Sequence, residues 1–529
     1  MMLLVAFSAV IVPFIFLVLL RMSALKGMII SALVVTLLGI VIWGMRGNVI
    51  FASLLQGTHK TLTILYILFG ALVLLNTLRE TGAVTRINEG FKKISGDMRV
   101  QVIIVAFLFG SLIEGASGFG TPAMVTAPLL VALGFRPMIA IVTALIADSV
   151  AVSFGAVGTP VLVGLSTLKE ADSAFFQTTA ERITTLDMLS GIFIPIILIA
   201  TLIIFFGKNN KFKSILEMIP WLALIGFIYV ASSFAYAFLF GPEFVAILGS
   251  LTGLIVAVLT ASKGWLLPKT EWTEGLYESY TASTPEHSMP LLTAWAPYLM
   301  VVVLLLLTRT VPLIKGFTTQ VLDFSWNHIL GFETISSDWQ FLYSPGTILI
   351  LSALFAILVQ RKSVKDLSNA SIASLNTIKT TGITLVATLA MVHVFINSGI
   401  NANDLISMPE YIAENMAKYL GPIWLFMAPF LGALGSFITG SATVSTLTFS
   451  PIQLNIANSI GAEPYTVLAA QIIGAAAGNM ICVHNVVAVC AVVNMPGKEG
   501  SVIRKTLGPA LLYCILVGLS AYIITSLFF

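Results

Sequence analysis

The chain has 529 residues, of which 58% are hydrophobic and only 10% are charged. Soluble domains carry about 25% charged residues, so this composition excludes an ordinary soluble protein and indicates a polytopic α-helical membrane protein. The net charge of +3 is small, and no basic patch typical of nucleic-acid binding is present. Cys482, Cys490 and Cys514 lack the spacing of a metal site or a disulfide framework. We therefore expect no metal and no cofactor.

Apolar runs long enough to cross a bilayer predict about twelve transmembrane helices. The first run lacks a basic flank before it and is interpreted as a membrane helix rather than a signal peptide. The runs lie at 2–20, 27–44, 61–78, 137–165, 185–206, 215–234, 240–260, 292–313, 345–360, 376–398, 466–494 and 506–528.

Loop charges give the orientation, because Lys and Arg concentrate on the cytoplasmic side. Alternate loops hold 20 of the 27 Lys and Arg residues, so we place these loops in the cytoplasm and both termini outside. Lys60 falls into an outer loop that precedes span 61–78. This assignment predicts that no Lys or Arg lies at mid-membrane depth.

Two longer apolar segments, 100–134 and 420–461, have both flanks on one side of the membrane. Each arm of the first has about 15 residues, or roughly 22 Å of helix, which is shorter than the ~30 Å hydrocarbon core. Re-entrant helical hairpins are predicted, the first entering from the cytoplasm with its tip at 114–121. The second enters from outside with its tip near 439–443.

The span after each hairpin also breaks in its middle. Span 137–165 is interrupted at Phe154-Gly-Ala-Val-Gly-Thr-Pro160 and span 466–494 at Gly478-Asn-Met-Ile-Cys-Val-His-Asn485. Paired broken helices in inverted repeats are typical of secondary transporters, which bind substrate between them. The predicted fold is an all-α polytopic membrane protein with about twelve transmembrane helices and two re-entrant hairpins, of the elevator type. Its parts are an N-terminal half 1–260, a cytoplasmic loop 261–291 and a C-terminal half 292–529.

The hairpin tips are candidates for an anion site. Helix N-termini offer unpaired N–H groups and a favourable dipole, glycine allows close approach of a ligand, and hydroxyls add donors. Packing or bonding to the helix backbone is the alternative for any single hydroxyl. The predicted substrate-binding residues are Gly115, Ser117, Gly118, Gly120, Thr121, Thr439, Gly440, Ser441, Thr443 and Asn479.

Few titratable groups lie inside the predicted spans. Glu114 is placed at the first tip, where burial disfavours a charged carboxyl and suits a proton carrier. Asp148 and His484 are further candidates for proton coupling. A structural carboxyl or a satisfied core histidine is the alternative for each, and it is the favoured interpretation of His393.

The run Leu112-Ile-Glu-Gly-Ala-Ser-Gly-Phe-Gly-Thr-Pro-Ala123 resembles the first-hairpin motif of the L-lactate permease family, transporters of 2-hydroxy monocarboxylates. Phe154 to Pro160, Ala294-Trp-Ala-Pro-Tyr298, Phe437-Ile-Thr-Gly-Ser441 and Gly478-Asn-Met-Ile481 match in family order. The chain departs from the family pattern at Ala442, where an acidic residue is usual. It also departs at Asn479, where a Lys is usual, at Val483-His484 and at Asp148.

The resemblance implies cation-coupled uptake of lactate or glycolate across the prokaryotic inner membrane. Our hypothesis is proton symport of L-lactate, with D-lactate or glycolate as alternatives. The rivals are a Na⁺-coupled carrier of another small organic anion and an uncoupled anion facilitator or channel. An intramembrane enzyme is disfavoured because no nucleophile is paired with a base. The expected partners are the anion, H⁺ or Na⁺ and the lipid bilayer, with no nucleic acid; a homo-oligomer is left open.

Overall fold

The computed structural model describes residues 2–20, 22–118, 120–166, 168, 170–276 and 289–528. Helices make up nearly all of the secondary structure in these ranges, and β-pairing is limited to isolated bridges such as Asp323 with Gln340. Among the described residues, eight helices are long and apolar enough to cross a membrane, or nine if one bent pair forms a single span. An all-α multi-pass membrane protein is therefore confirmed.

The count of about twelve spans stays a prediction, because several predicted spans are divided into shorter pieces. The predicted span 2–20, for example, consists of Met2–Ala6, Ser8–Phe14 and the π-helical turn Ile15–Leu19. The remaining helices outside the hairpins and broken spans are Ala24–Val41, Gly47–Glu80, Ala83–Ile94, Ser173–Asp187, Ile194–Phe206, Lys211–Leu216, Ile219–Phe240, Val245–Ser262, Leu291–Thr310, Pro312–Gln320, Pro345–Val359, Val364–Ile396, Met408–Leu420 and Glu499–Phe528.

One group of helices is built around a long antiparallel pair, Gly47–Glu80 and Val364–Ile396. The pair is in contact along most of its length. A Cβ on Gly57 would lie 2.6 Å from the backbone nitrogen of Ala390, and near the other end Asn76 donates to the Ser374 hydroxyl at 3.2 Å. Ala24–Val41, Pro345–Val359 and Leu291–Thr310 pack on this pair directly or through one another. We call this group the long-helix group.

The long-helix group corrects one sequence prediction. Lys60 does not precede a span in a loop; it is the fourteenth residue of the continuous 34-residue helix Gly47–Glu80. That helix is about 51 Å long and exceeds the ~30 Å hydrocarbon core. The apolar run that begins after Lys60 covers only the C-terminal part of this helix. The start of the helix was therefore predicted too late in the sequence.

The second group contains two antiparallel helix pairs. The first pair runs through Met98–Val102, the π-helical turn Ile103–Phe109 and Gly110–Ser117, and returns as Thr121–Ala132. The second pair consists of Trp424–Thr439 and Ala442–Ile460. Hydrogen bonds hold its arms together: Ser445 donates to the Gly432 carbonyl at 2.8 Å, and Gln453 donates to the Ala428 carbonyl at 3.1 Å. We call these pairs the first and second hairpins.

Two interrupted helices lie beside the hairpins. The first consists of Pro137–Ala147, Ser149–Val152 and Gly155–Leu162, and the second of Pro464–Asn479 and Val483–Val492. The second hairpin approaches its neighbour at backbone distance, since a Cβ on Gly432 would lie 2.1 Å from the Gln471 carbonyl oxygen. Small residues allow such close packing inside membranes. The hairpins and interrupted helices thus form one tightly packed unit, here called the hairpin group.

Candidate functional site

Both hairpins turn at glycines with backbone conformations that other residues avoid. The first turns at Gly118 and Gly120, with φ of 62° and 73°, and the second at Gly440, with φ of 69°. Only glycine adopts such angles without steric cost. The turns fall within the predicted tips 114–121 and 439–443. Glu114, however, lies inside helix Gly110–Ser117, one helical turn before the break, so its predicted place at the tip itself is wrong.

The interruptions in the two broken helices lie where the sequence predicts them. In the first, Ala156, Val157 and Gly158 all have left-handed φ values, 47°, 57° and 76°. In the second, the helix ends at Asn479 and restarts at Val483. Backbone polar groups freed by such breaks need polar surroundings or a cavity inside a membrane, so a cavity is expected at these points.

The first tip meets both interrupted helices, and the second tip meets the second of them. A Cβ on Gly118 would lie 2.9 Å from the Ala156 Cβ in the first broken helix, and one on Gly120 would lie 2.5 Å from Asn485 Oδ1 in the second. At the second tip, a Cβ on Gly440 would lie only 1.6 Å from the ring of His484. The four broken elements therefore converge on one place.

A small cavity lies at this convergence. The space open to the centre of a water molecule is about 20 Å³, and one water needs about 10–15 Å³ of such space. The cavity therefore holds about one water molecule, and any larger ligand requires the tips to move apart. It is lined by Glu114, Gly118, Val152, Gly155, Ala156, Pro160, Gly440, Ser441, Ala442, Thr443 and Asn479.

The cavity brings together some of the predicted site residues and leaves out others. Glu114, Gly118, Gly440, Ser441, Thr443 and Asn479 line it. Gly115 faces away, since a Cβ there would lie 2.8 Å from the backbone of Ile247. The side chain of Ser117 lies outside the described residues. The other predicted residues are not part of the cavity lining, namely Gly120, Thr121, Thr439, Asp148 and His484.

Two carboxyl groups lie next to each other in the buried part of the site. Glu114 is 2% exposed, and its Oε1 occupies the space that a side chain on residue 155 would need, 2.2 Å from a Cβ on Gly155. Asp148 is also buried and interacts electrostatically with Glu114. One oxygen of each carboxyl has no hydrogen-bond partner, and no ion pair in the described part of the chain includes either. Charge on both groups at once is unfavourable in such a place.

The hydroxyls of the second tip already have partners within the hairpin. Thr439 donates to the Gly435 carbonyl at 2.8 Å, which is the backbone-bonded alternative anticipated for single hydroxyls. Ser441 Oγ accepts from the Val444 N–H at 3.3 Å and caps the second arm. At the first tip the hydroxyl of Thr121 is buried without a partner. The donors available to a ligand are therefore fewer than the sequence suggests.

Sequence reasoning placed Asn485 in the second interruption but left it out of the predicted site, and it did not consider Asp187 or Lys60 as site residues. Asn485 donates to Asn479 Oδ1 at 2.7 Å, and its own Oδ1 is buried without a partner. Asp187, 3% exposed, accepts from the Tyr513 hydroxyl at 2.7 Å. Its position at the start of predicted span 185–206 could have marked it as an intramembrane carboxyl. Lys60 interacts electrostatically with His484, which its assignment to a loop did not predict; the absence of Lys and Arg at mid-membrane depth stays a prediction.

Comparison with known proteins agrees with this architecture. The family model for L-lactate permease matches residues 2–528. A Haemophilus influenzae protein that carries the L-lactate permease name is 31% identical over 500 residues, covering 91% of this chain and 90% of that protein. The Bacillus subtilis L-lactate permease is 26% identical over 557 residues, with 97% and 95% covered. The Escherichia coli glycolate permease is 27% identical over 560 residues, with 99% and 96% covered.

The matched family and relatives are permeases, so this multi-pass helical protein, whose broken helices enclose a small cavity, is a membrane transport protein rather than an enzyme. Its bacterial relatives place it in the inner membrane. With the family model matching almost from end to end, the chain belongs to the L-lactate permease family.

Proposed function

We propose that this protein is a proton symporter that imports a small 2-hydroxy monocarboxylate. The observation that supports the coupling is the pair of buried carboxyls, Glu114 and Asp148, beside a cavity to which both hairpin tips contribute. A carboxyl without a cationic partner takes up a proton readily where charge is unfavourable. Binding one proton with one carboxylate anion makes the loaded carrier neutral relative to the empty one.

Two sets of residues have separate roles in this proposal. The backbone at Gly118 and Gly440 and the side chains of Ser441, Thr443 and Asn479 hold the carboxylate and the 2-hydroxyl. Glu114 carries the proton, with Asp148 as its nearest partner, and His484 is the alternative carrier. L-lactate is the first substrate, with D-lactate and glycolate as alternatives. The names of the relatives, L-lactate permease and glycolate permease, support this range.

The proposed architecture comprises two inverted repeats, 1–260 and 292–529, joined by the cytoplasmic segment 261–291. Each repeat contributes one hairpin and one interrupted helix to the site. The first hairpin is re-entrant from the cytoplasm and the second from outside. The remaining predicted helices bring the number of spans to about twelve.

Transport in this proposal moves the hairpin group against the long-helix group. The cavity holds about one water, so neither tip leaves room for lactate when both are packed as they are here. Separation of one tip at a time would admit the anion from one side only. The hairpin group is densely packed through its glycines, which supports its movement as a unit.

The function is tested by uptake into proteoliposomes that contain the purified full-length chain. Inward pH, Na⁺ and voltage gradients are imposed separately, with L-lactate, D-lactate, glycolate and acetate as substrates and protein-free liposomes as control. We expect accumulation of 2-hydroxy acids driven by the pH gradient without Na⁺. Accumulation that requires Na⁺, or equilibration without accumulation under every gradient, contradicts proton symport.

A further inference from the structure

Three basic side chains on three helices that pack together interact electrostatically, and one of them, His484, lies against the second hairpin tip. Lys60 lies on Gly47–Glu80, His393 on Val364–Ile396, and His484 on Val483–Val492. The helix that carries His484 packs on both long helices. The ammonium group of Lys60 interacts electrostatically with both imidazole rings. We call these three residues the basic cluster.

The basic cluster lacks an acidic partner at contact distance. No ion pair in the described ranges includes Lys60. The acid that acts on Lys60 electrostatically is Asp338, in the segment between helices Pro312–Gln320 and Pro345–Val359. His393 Nδ1 is buried and has no hydrogen-bond partner. His484 is 8% exposed, and no hydrogen bond of its ring occurs among the contacts of the described residues. Buried basic groups are normally paired, so the cluster is incomplete as it stands.

The amide and imidazole groups nearest to the basic cluster on the two long helices, in contrast, have hydrogen-bond partners. Asn397 donates to Ser53 Oγ at 3.0 Å and to Gln56 Oε1 at 2.7 Å. His59 pairs with Ser337 Oγ at 2.9 Å and with the Phe324 carbonyl at 3.0 Å. Asn397 and His59 therefore find their partners within the protein, whereas the hydroxyls of Thr63 and Thr77 on Gly47–Glu80 are buried without one.

The basic cluster adjoins the proposed substrate cavity. The ring of His484 fills the space beside Gly440, so closely that a Cβ on Gly440 would lie 1.6 Å away. Gly440 in turn lines the cavity. An anion leaving the cavity past the second tip would meet His484 first, and then Lys60 and His393 of the long-helix group.

We propose that Lys60, His393 and His484 form a second carboxylate-binding site, which holds the organic monocarboxylate while the second tip is open. The missing acidic partner is then the carboxylate of the substrate. A lysine ammonium is a compact charge with three donors, and it attracts anions into a cleft of low polarity. This inference rests on the proposed function, and it adds two residues of the long-helix group to the recognition of substrate.

The test measures L-lactate binding by calorimetry on the purified full-length protein in lipid nanodiscs. Lys60→Gln should weaken binding by about 10- to 100-fold, the range for loss of a hydrogen bond to a charged group. Lys60→Arg keeps the charge and should retain most of the affinity. Arg46→Gln is the matched control, because it removes a positive charge from the exposed start of the same helix and should bind as the wild type does.

Each outcome bears on the proposal. Lys60→Met replaces Lys60→Gln if the glutamine variant fails to fold, with thermal melting of every variant as the check. Wild-type affinity in a folded Lys60→Gln or Lys60→Met protein overturns the second site and leaves the proposed function standing. Equal losses in Lys60→Gln and Lys60→Arg indicate packing rather than charge and also overturn it. A wild-type protein that binds no 2-hydroxy acid overturns the proposed function as well.

Discussion

The two hairpins have the same backbone plan and different chemistry. Each turns at a glycine with positive φ and faces an interrupted helix. The first places a buried carboxyl, Glu114, one turn before its tip, next to Asp148. The second has no acid at its tip, and its Thr439 and Ser441 hydroxyls form hydrogen bonds within the hairpin. Its tip packs against His484, which interacts electrostatically with Lys60.

This difference assigns a separate task to each side of the cavity. Acids without cations suit proton uptake, and bases without acids suit anion binding. In the proposed function, the first hairpin therefore supplies the coupling carboxyl together with the backbone of Gly118, and the second hairpin supplies most of the groups that recognise the anion.

The largest expected effect concerns the side of the membrane from which a reagent reaches each hairpin. We expect the two hairpins to open to opposite sides. The native cysteines in the described chain are buried, so single cysteines can be introduced at exposed positions with low background. Tyr419→Cys and Asn458→Cys flank the second hairpin, and Lys263→Cys is the cytoplasmic control. Both hairpin positions should react with an impermeant maleimide only from outside, and the control only from inside. Reaction of the two hairpin positions from opposite faces shows a full crossing and contradicts re-entrance.

Glu114→Gln should abolish accumulation while leaving exchange, because an amide carries no proton at the same place. The readouts are pH-driven uptake and counterflow of labelled L-lactate in proteoliposomes. Glu333→Gln removes an exposed carboxyl in the segment between helices Pro312–Gln320 and Pro345–Val359. This control should behave as the wild type. Unchanged pH-driven accumulation in Glu114→Gln assigns Glu114 to structure and moves the coupling to Asp148 or His484.

The backbone plan could be predicted from the sequence because it depends on local chemistry. Glycines and prolines inside apolar runs mark broken helices whatever surrounds them, so the turns at Gly118 and Gly440 and both interruptions are found where expected. The side-chain contacts could not be predicted, because they depend on which helices pack together. Lys60 looked like a loop residue from its flanking sequence, and its nearness to His484 arises only from the packing of separate helices.

Valine at the tip glycines should nearly eliminate L-lactate binding, with a larger effect at the second tip. Gly118→Val meets Ala156 at 2.9 Å, whereas Gly440→Val meets the His484 ring at 1.6 Å. Positive φ alone costs a non-glycine residue about 1–2 kcal/mol, so the rest of the effect comes from contact. Gly461→Val isolates the backbone term, since Gly461 has φ of 69° with nothing within 4 Å. It should lower stability without changing affinity, measured by melting and calorimetry. Wild-type binding by both tip variants removes the anion from the tips.

Gly155→Ala should have an intermediate effect, confined to coupling. Its Cβ would lie 2.2 Å from Glu114 Oε1, so the carboxyl must move while keeping its chemistry. We expect the pH dependence of uptake to change and L-lactate affinity to fall by less than about tenfold, within the range of one neutral hydrogen bond. Gly110→Ala, on the hairpin helix that carries Glu114, meets nothing nearer than 3.5 Å and should leave both properties unchanged. An unaltered pH profile in a folded Gly155→Ala protein contradicts the placement of the proton on Glu114.

The smallest expected effect is that of Ser441→Ala, and it separates the two uses of one hydroxyl. Ser441 Oγ caps the second arm by accepting from the Val444 N–H, and loss of a cap costs about 1 kcal/mol of stability. If the same hydroxyl also donates to the bound anion, L-lactate affinity should fall by about 2- to 10-fold, the range of one neutral hydrogen bond. Ser407→Ala is the matched control, because Ser407 caps helix Met408–Leu420 with its hydroxyl but does not line the cavity. Both variants should melt at a lower temperature, and only Ser441→Ala should bind L-lactate more weakly. Equal affinities in the two variants confine Ser441 to capping, and anion recognition at the second tip then depends on the backbone of Gly440, on Thr443 and on the basic cluster behind them.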